Sequence, residues 1–310
     1  MTAESLTVGG TVRKRRGVRE VRKAVEGGIQ VVFLLCGTLA VGFVLLISIY
    51  LILSGLPAIR QIGLADFLFG RVWDPTNATT GAEFGILPFI LTSIYGTAGA
   101  VVLGVPVGLL TAVYLAKIAP PKVAVAIRTA VQLLAGIPSV VYGLVGMIVL
   151  VPAIQRTFSL SSGACLLAAM IVLAIMILPS IINVAENALR AVPKEYEEAS
   201  LALGATKLET YFKVTLPAAG SGVAAAIVLG VGRAIGEAMA IIMVSGNVSN
   251  MPSVFAPVRF LTTGIVSGMG YAQVGSLYHQ ALFSIGLVLF LFIMLINVLL
   301  NVLIKKKGDA

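Results

Sequence analysis

Six apolar runs, each long enough to cross a bilayer as a helix, constrain this chain more than any other feature. They cover approximately Ile29–Leu53, Ile86–Ala116, Thr129–Ile154, Ala164–Ile182, Pro217–Ser245 and Gln280–Ile304. A hydrocarbon core about 30 Å thick takes roughly 20 helical residues. Lipid offers no partner for a free backbone N–H or C=O, so runs of this length predict spanning helices. The expected fold is therefore an all-α integral membrane protein with six transmembrane helices. Charged residues make up 11% of the chain, against about 25% in a soluble domain, so the net charge of +9 has no soluble domain on which to form a stripe for nucleic acid.

The charge reads instead as topology. With the N-terminus on the cytoplasmic side, 17 of the 22 lysines and arginines fall on inside segments and four (Arg60, Arg71, Arg156, Arg259) outside, leaving Arg233 within a span. The positive-inside rule then places both termini in the cytoplasm. The expected organisation is a basic tail over residues 1–28, a first span 29–53, an outer loop 54–85, a core of five spans over 86–304 and a tail 305–310. The first apolar run is too long for a signal h-region, which predicts that it stays in the mature protein. Trp73 in the outer loop suits an interfacial anchor or a contact for an outside partner. Cys36 and Cys165 sit in apolar runs and read as small packing residues, with no disulfide or metal site implied.

One segment, 193–217, is charged and helix-forming among the spans. Pro193 suits a first helical position, and glutamates 195, 197 and 198 favour the helix N-terminus that follows. Gly204 predicts a left-handed C-cap, and Thr206 with Glu209 predicts a capping box that starts a second helix. The result is a short helix–turn–helix on the cytoplasmic side, from which Leu216-Pro217 leads straight into the span carrying Arg233.

Arg233 and Glu237 are the charges inside a span, and at helical spacing they share one face. Each costs about 2.5–3.5 kcal/mol at a helix centre, which turns both towards a protein-lined or watery interior. The planar donor fork of an arginine matches an oxyanion, and a dry site strengthens the attraction. Glu237 either neutralises Arg233 while the path is empty or is itself protonated; alternatively the two charges only pin a helix interface. Ala135–Leu144 is interrupted by Gly136, Pro138 and Gly143. Such a break either frees N–H groups for an anion, with Ser139 and Tyr142 as added hydroxyl donors, or marks a tight helix crossing. Gly104 and Gly108 read as packing, His279 as interfacial, and Glu186 as solvated at the end of its span. No phosphate-cradling Gly-Lys-Ser/Thr loop occurs and the single His leaves no catalytic arrangement, so any ATP is bound by another subunit.

Glu198-Ala199-Ser200, three residues, Gly204, nine residues and Val214-Thr215-Leu216-Pro217 resemble the EAA loop of bacterial ABC importer permeases, departing at Ser200 for Ala and Val214 for Ile. Stretches 83–97, 132–144, 202–210, 232–247 and 281–299 are similar to the phosphate ABC transporter permeases, and 232–247 resembles the PstC subunit more than its paralogue PstA. The resemblance implies the type I importer fold in a bacterial inner membrane. It also implies a second, PstA-like permease, two ATPase subunits carrying ATP and magnesium, a periplasmic or lipid-anchored phosphate-binding protein, and no cofactor on this chain. It makes Glu198, Ala199, Ser200, Gly204, Ala205 and Thr206 the ATPase coupling element, and Arg233 with Glu237 part of the phosphate path. Sulfate and molybdate want an arginine equally. A proton-coupled anion carrier built on Glu237 is the other class, though it needs no docking helix and usually shows internal repeats.

Overall fold

The computed structural model describes residues 8–77 and 81–308, and side chains for 26–77, 81–299 and 302. The side chains of the basic clusters expected at the two ends, and residues 78–80 of the outer loop, lie outside these described groups. The elements are α1 (Val8–Ile62), α2 (Leu64–Phe69), β1 (Trp73–Asp74), β2 (Glu83–Phe84), α3 (Leu87–Val113), α4 (Pro121–Gly136), α5 (Ser139–Val145), α6 (Val151–Thr157) and α7 (Leu166–Ala191). They continue with α8 (Lys194–Ala202), α9 (Lys207–Thr210), α10 (Leu216–Ala218), α11 (Gly220–Gly236), α12 (Met239–Val244), α13 (Leu261–Met269) and α14 (Leu277–Gly308). Three π-helical turns, Tyr114–Ile118, Gly146–Leu150 and Tyr211–Thr215, interrupt this α-helical framework.

Among the described residues, five helical segments are long and apolar enough to cross a membrane: Glu26–Ile62, Leu87–Ile118, Ser139–Thr157, Leu166–Ala191 and Leu277–Leu299. A sixth follows if Lys207–Ala218 and Gly220–Gly236 count as one broken span. The chain divides between Leu53 and Ser54. In the first unit the side chains from Ile29 to Ile47 are all exposed, Cys36 among them, as suits a helix surrounded by lipid.

In the second unit α7 is the central helix. Its Leu166, Leu173, Met176, Ile177 and Ile181 are buried against α3, α11 and α12. Gly104 and Gly108 let α3 approach closely, because a Cβ there would stand 2.9 and 2.8 Å from Ile177 and Ile181, which supports their reading as packing positions. A second core gathers Phe67, Trp73, Phe84, Phe89, Leu261 and Leu282. Trp73 is buried there, its ring 5.6 Å from Phe84, 5.5 Å from Phe89 and 6.2 Å from Tyr278. It is neither an interfacial anchor nor a free contact surface. The short antiparallel pair β1–β2, with Trp73 opposite Phe84, holds it in place and is a small exception to an all-α chain.

Two of the six apolar runs are broken, and the first is part of a longer helix than expected. The first lies within a longer helix, α1, which extends to Ile62. The third divides at Ile137-Pro138: residues up to Gly136 belong to α4, and the crossing helix starts at Ser139. Pro138 has no N–H and forces Ile137 to extended geometry (φ −72°, ψ 127°), so the helix cannot run through. The fifth is broken twice, by a 74° bend around Ala219 and by extended backbone at Glu237. No straight element therefore runs from Pro217 to Arg233.

Candidate functional site

Arg233 stands in the last turn of α11, half-buried, where a cation suits the helix C-terminus. Its Nη1 donates to the Ser180 hydroxyl at 3.3 Å, and its charge lies within electrostatic range of the Tyr142 hydroxyl. No carboxylate lies within ion-pair distance among the described residues. Most of its five N–H donors are thus uncommitted to protein. Ser180, next to Pro179 inside the continuous helix α7, is a partner that sequence reasoning missed.

Glu237 does not share a helix face with Arg233. The helix ends at Gly236, and Glu237 is extended (φ −75°, ψ 134°), which cancels the i,i+4 relation. Its Oε1 accepts the Ala240 N–H at 3.0 Å, and its carbonyl accepts the Thr262 hydroxyl at 2.7 Å. The two charges therefore serve two different helix ends: the arginine the C-terminus of α11, the glutamate the N-terminus of α12.

The other break behaves differently. In a continuous helix the Leu134 carbonyl would accept from residue 138, but Pro138 has no N–H to give. The Ile137 N–H, at 3.2 Å, and the Tyr142 hydroxyl, at 2.7 Å, donate to Leu134 instead. The hydroxyl proton is spent on spanning the break. Ser139, the first residue of α5, is half-buried and makes no hydrogen bond to Arg233. Gly143 is the crossing point of the two broken spans, where a Cβ would lie 2.9 Å from the Ala240 Cα. Small-residue packing accounts for that glycine.

The segment 193–217 forms a hairpin of α8 and α9. Gly204 has φ +87°, and the bonds Gly204 N–H to Leu201 (3.0 Å) and Ala205 N–H to Ser200 (3.2 Å) complete a Schellman motif. The capping box is complete: the Thr206 hydroxyl accepts the Glu209 N–H, and Glu209 accepts the Thr206 N–H at 3.1 Å. Ser200 and Thr210 hydroxyls, 3.0 Å apart, tie the two helices together. Glu198 and Ala199 are exposed and Ala205 is half-buried. Thr206→Ala is expected to weaken α9 by about 1 kcal/mol. Faster amide hydrogen exchange at Lys207–Thr210, with α8 unchanged, would report it; unchanged exchange would mean that the cap is dispensable.

Residues 104–307 match the family model described as "Binding-protein-dependent transport system inner membrane component". The chain belongs to this family of ABC transporter permeases. The permease is 38% identical over 294 residues to the probable ABC transporter permease protein YqgH of Bacillus subtilis, covering 93% of each chain. It is 35% identical to the phosphate transport system permease protein PstC of Pasteurella multocida, covering 78% of this chain and 81% of that one. In fold it is similar to a chain of the MetNI methionine ABC transporter in an inward-facing structure, with a TM-score of 0.57 at 21% identity, covering 72% of this chain and 95% of that one.

The permease also contains a charge cluster that contradicts the expectation for Glu186. That residue is not solvated: it is 4% exposed, and its Oε1 receives Arg128 Nε at 2.7 Å and Arg190 Nε at 2.9 Å. Both guanidiniums also donate to the Leu115 carbonyl, Arg190 at 3.1 Å and Arg128 at 3.4 Å. That carbonyl is available because the turn 114–118 is π-helical. The Ala119 N–H, which would bond Leu115 in an α-helix, bonds Tyr114 at 2.8 Å instead. Arg190 was visible as the i,i+4 neighbour of Glu186; Arg128, on α4, was not.

Proposed function

We propose that this permease imports inorganic phosphate across a bacterial inner membrane, driven by ATP hydrolysed on a separate subunit. The observation that carries the reading is Arg233, a cation in a spanning helix with donors to spare and no carboxylate partner among the described residues. An oxyanion is the chemistry that such a fork accepts best. The names of the PstC relatives support phosphate within that class. In this reading Arg233 is the anion contact, with Glu237, Ser139 and Tyr142 flanking the same path.

The exposed face of the hairpin, from Glu198 to Thr206, docks on the ATPase. The functional unit pairs this chain with a PstA-like permease over two ATPases and receives phosphate from a binding protein outside. Both termini are cytoplasmic, as the distribution of lysine and arginine supports. Radiolabelled phosphate uptake into proteoliposomes holding the whole complex tests the proposal: it should need ATP and resist a hundredfold excess (roughly 2.7 kcal/mol of discrimination) of sulfate or molybdate. Inhibition by either anion would reassign the substrate, and uptake driven by a proton gradient without ATP would overturn the transport class.

A further inference from the structure

Two of the three π turns flank the hairpin. One, Tyr114–Ile118, closes the long helix begun by α3; the other, Tyr211–Thr215, precedes α10 and the bend into α11. A π turn carries one surplus residue and is frequent at functional sites. A single carboxylate joins them. Glu197 Oε1, on α8, forms an ion pair with Lys117 Nζ in the first turn and accepts the Thr215 hydroxyl of the second at 3.3 Å. The Tyr211 hydroxyl closes the circuit by donating to the Lys117 carbonyl at 3.3 Å.

This contact differs in kind from the other ion pair of the hairpin. Lys117 and Glu197 side chains are 12% and 19% exposed, against 74% and 47% for Lys213 and Glu209. Shielding from water strengthens the first pair and holds its geometry; the second is a solvated i,i+4 pair. Helix α8 buries no residue of its own. Beyond the chain connection to α7 through Val192-Pro193, its side-chain bonds to the spanning segments, among the described residues, run through Glu197, since the Ser200–Thr210 contact ties it to its partner α9. The devices that fold the hairpin, namely the Schellman turn, the capping box and Ser200–Thr210, do not use Glu197.

We propose that Glu197 is the positioning residue that transmits movement of the hairpin to the transmembrane helices, pulling on the α3 end through Lys117 and on the entrance to α11 through Thr215. The inference rests on the preceding reading of the hairpin as the ATPase contact. Glu197 itself faces inward, one residue before the exposed Glu198, so its loss should uncouple rather than undock.

The test uses the whole reconstituted complex and counts radiolabelled inorganic phosphate taken up per ATP hydrolysed. Glu197→Gln and Lys117→Met should each retain the ATPase on the complex and its basal hydrolysis, while phosphate per ATP falls about tenfold. The charge-swapped double variant Lys117→Glu with Glu197→Lys should recover a large part of that ratio because it restores the ion pair. The retained ATPase and basal hydrolysis of the single variants separate lost coupling from a merely structural defect. An unchanged ratio in Glu197→Gln overturns the inference, and so does loss of the ATPase from the complex in both single variants. Failure of the unaltered complex to hold an ATPase overturns the preceding reading, and this one with it.

Discussion

Replacing Arg233 with alanine is expected to abolish phosphate uptake while leaving the permease assembled. Each hydrogen bond from a charged donor contributes about 1.5–3 kcal/mol, so losing two from the fork costs at least about 100-fold in transport. Structure should survive because the side chain gives the fold little: one 3.3 Å bond to Ser180 and no ion pair among the described residues. Removing the cation also relieves an insertion cost of about 2.5–3.5 kcal/mol if the site is central. Arg233→Lys should fall between, since an ammonium keeps the charge but cannot present two parallel donors. The measurement is initial uptake in proteoliposomes at matched amounts of assembled complex. Near-normal uptake by Arg233→Ala would remove this residue from the transport path.

The sequence made local features legible and left long-range ones hidden. Gly204 and the Thr206–Glu209 pair act within a few residues of themselves, so the hairpin they build could be anticipated from spacing, and its turn and cap have the expected geometry. Pro138 likewise announced its break, because a missing N–H is a property of the residue alone. The break at Glu237 carries no proline. Its carbonyl is taken by Thr262, 25 positions away, and its side chain caps Ala240, so tertiary partners replace the helical ones. Reading Arg233 and Glu237 as helical neighbours failed for that reason. Glu186 failed similarly: a carboxylate near the end of a span suits water until Arg128, 58 positions earlier, is brought against it.

Glu186→Ala is expected to be among the most destabilising single changes in the permease, by about 3 kcal/mol, the lower end of what removing one partner of a buried ion pair costs. The lower end applies because Arg128 and Arg190 side chains are 32% and 47% exposed and can turn partly to water. Arg190→Ala should cost about 1 kcal/mol, since the 2.7 Å pair of Arg128 with Glu186 survives it and the lost partner was the more exposed. Thermal unfolding midpoints in detergent would rank the two, and an Arg190→Ala effect equal to or larger than that of Glu186→Ala would refute the clasp. Location matters as much as size. Both guanidiniums are held by Glu186 over the Leu115 carbonyl, which the π turn leaves without a helical partner. Without the carboxylate they no longer converge there, so hydrogen exchange should accelerate across residues 114–119 and along α4 while α12 stays protected. That pattern would establish that a carboxylate at the end of α7 keeps the last turn of the α3 span in its π form, the same turn through which Lys117 receives Glu197.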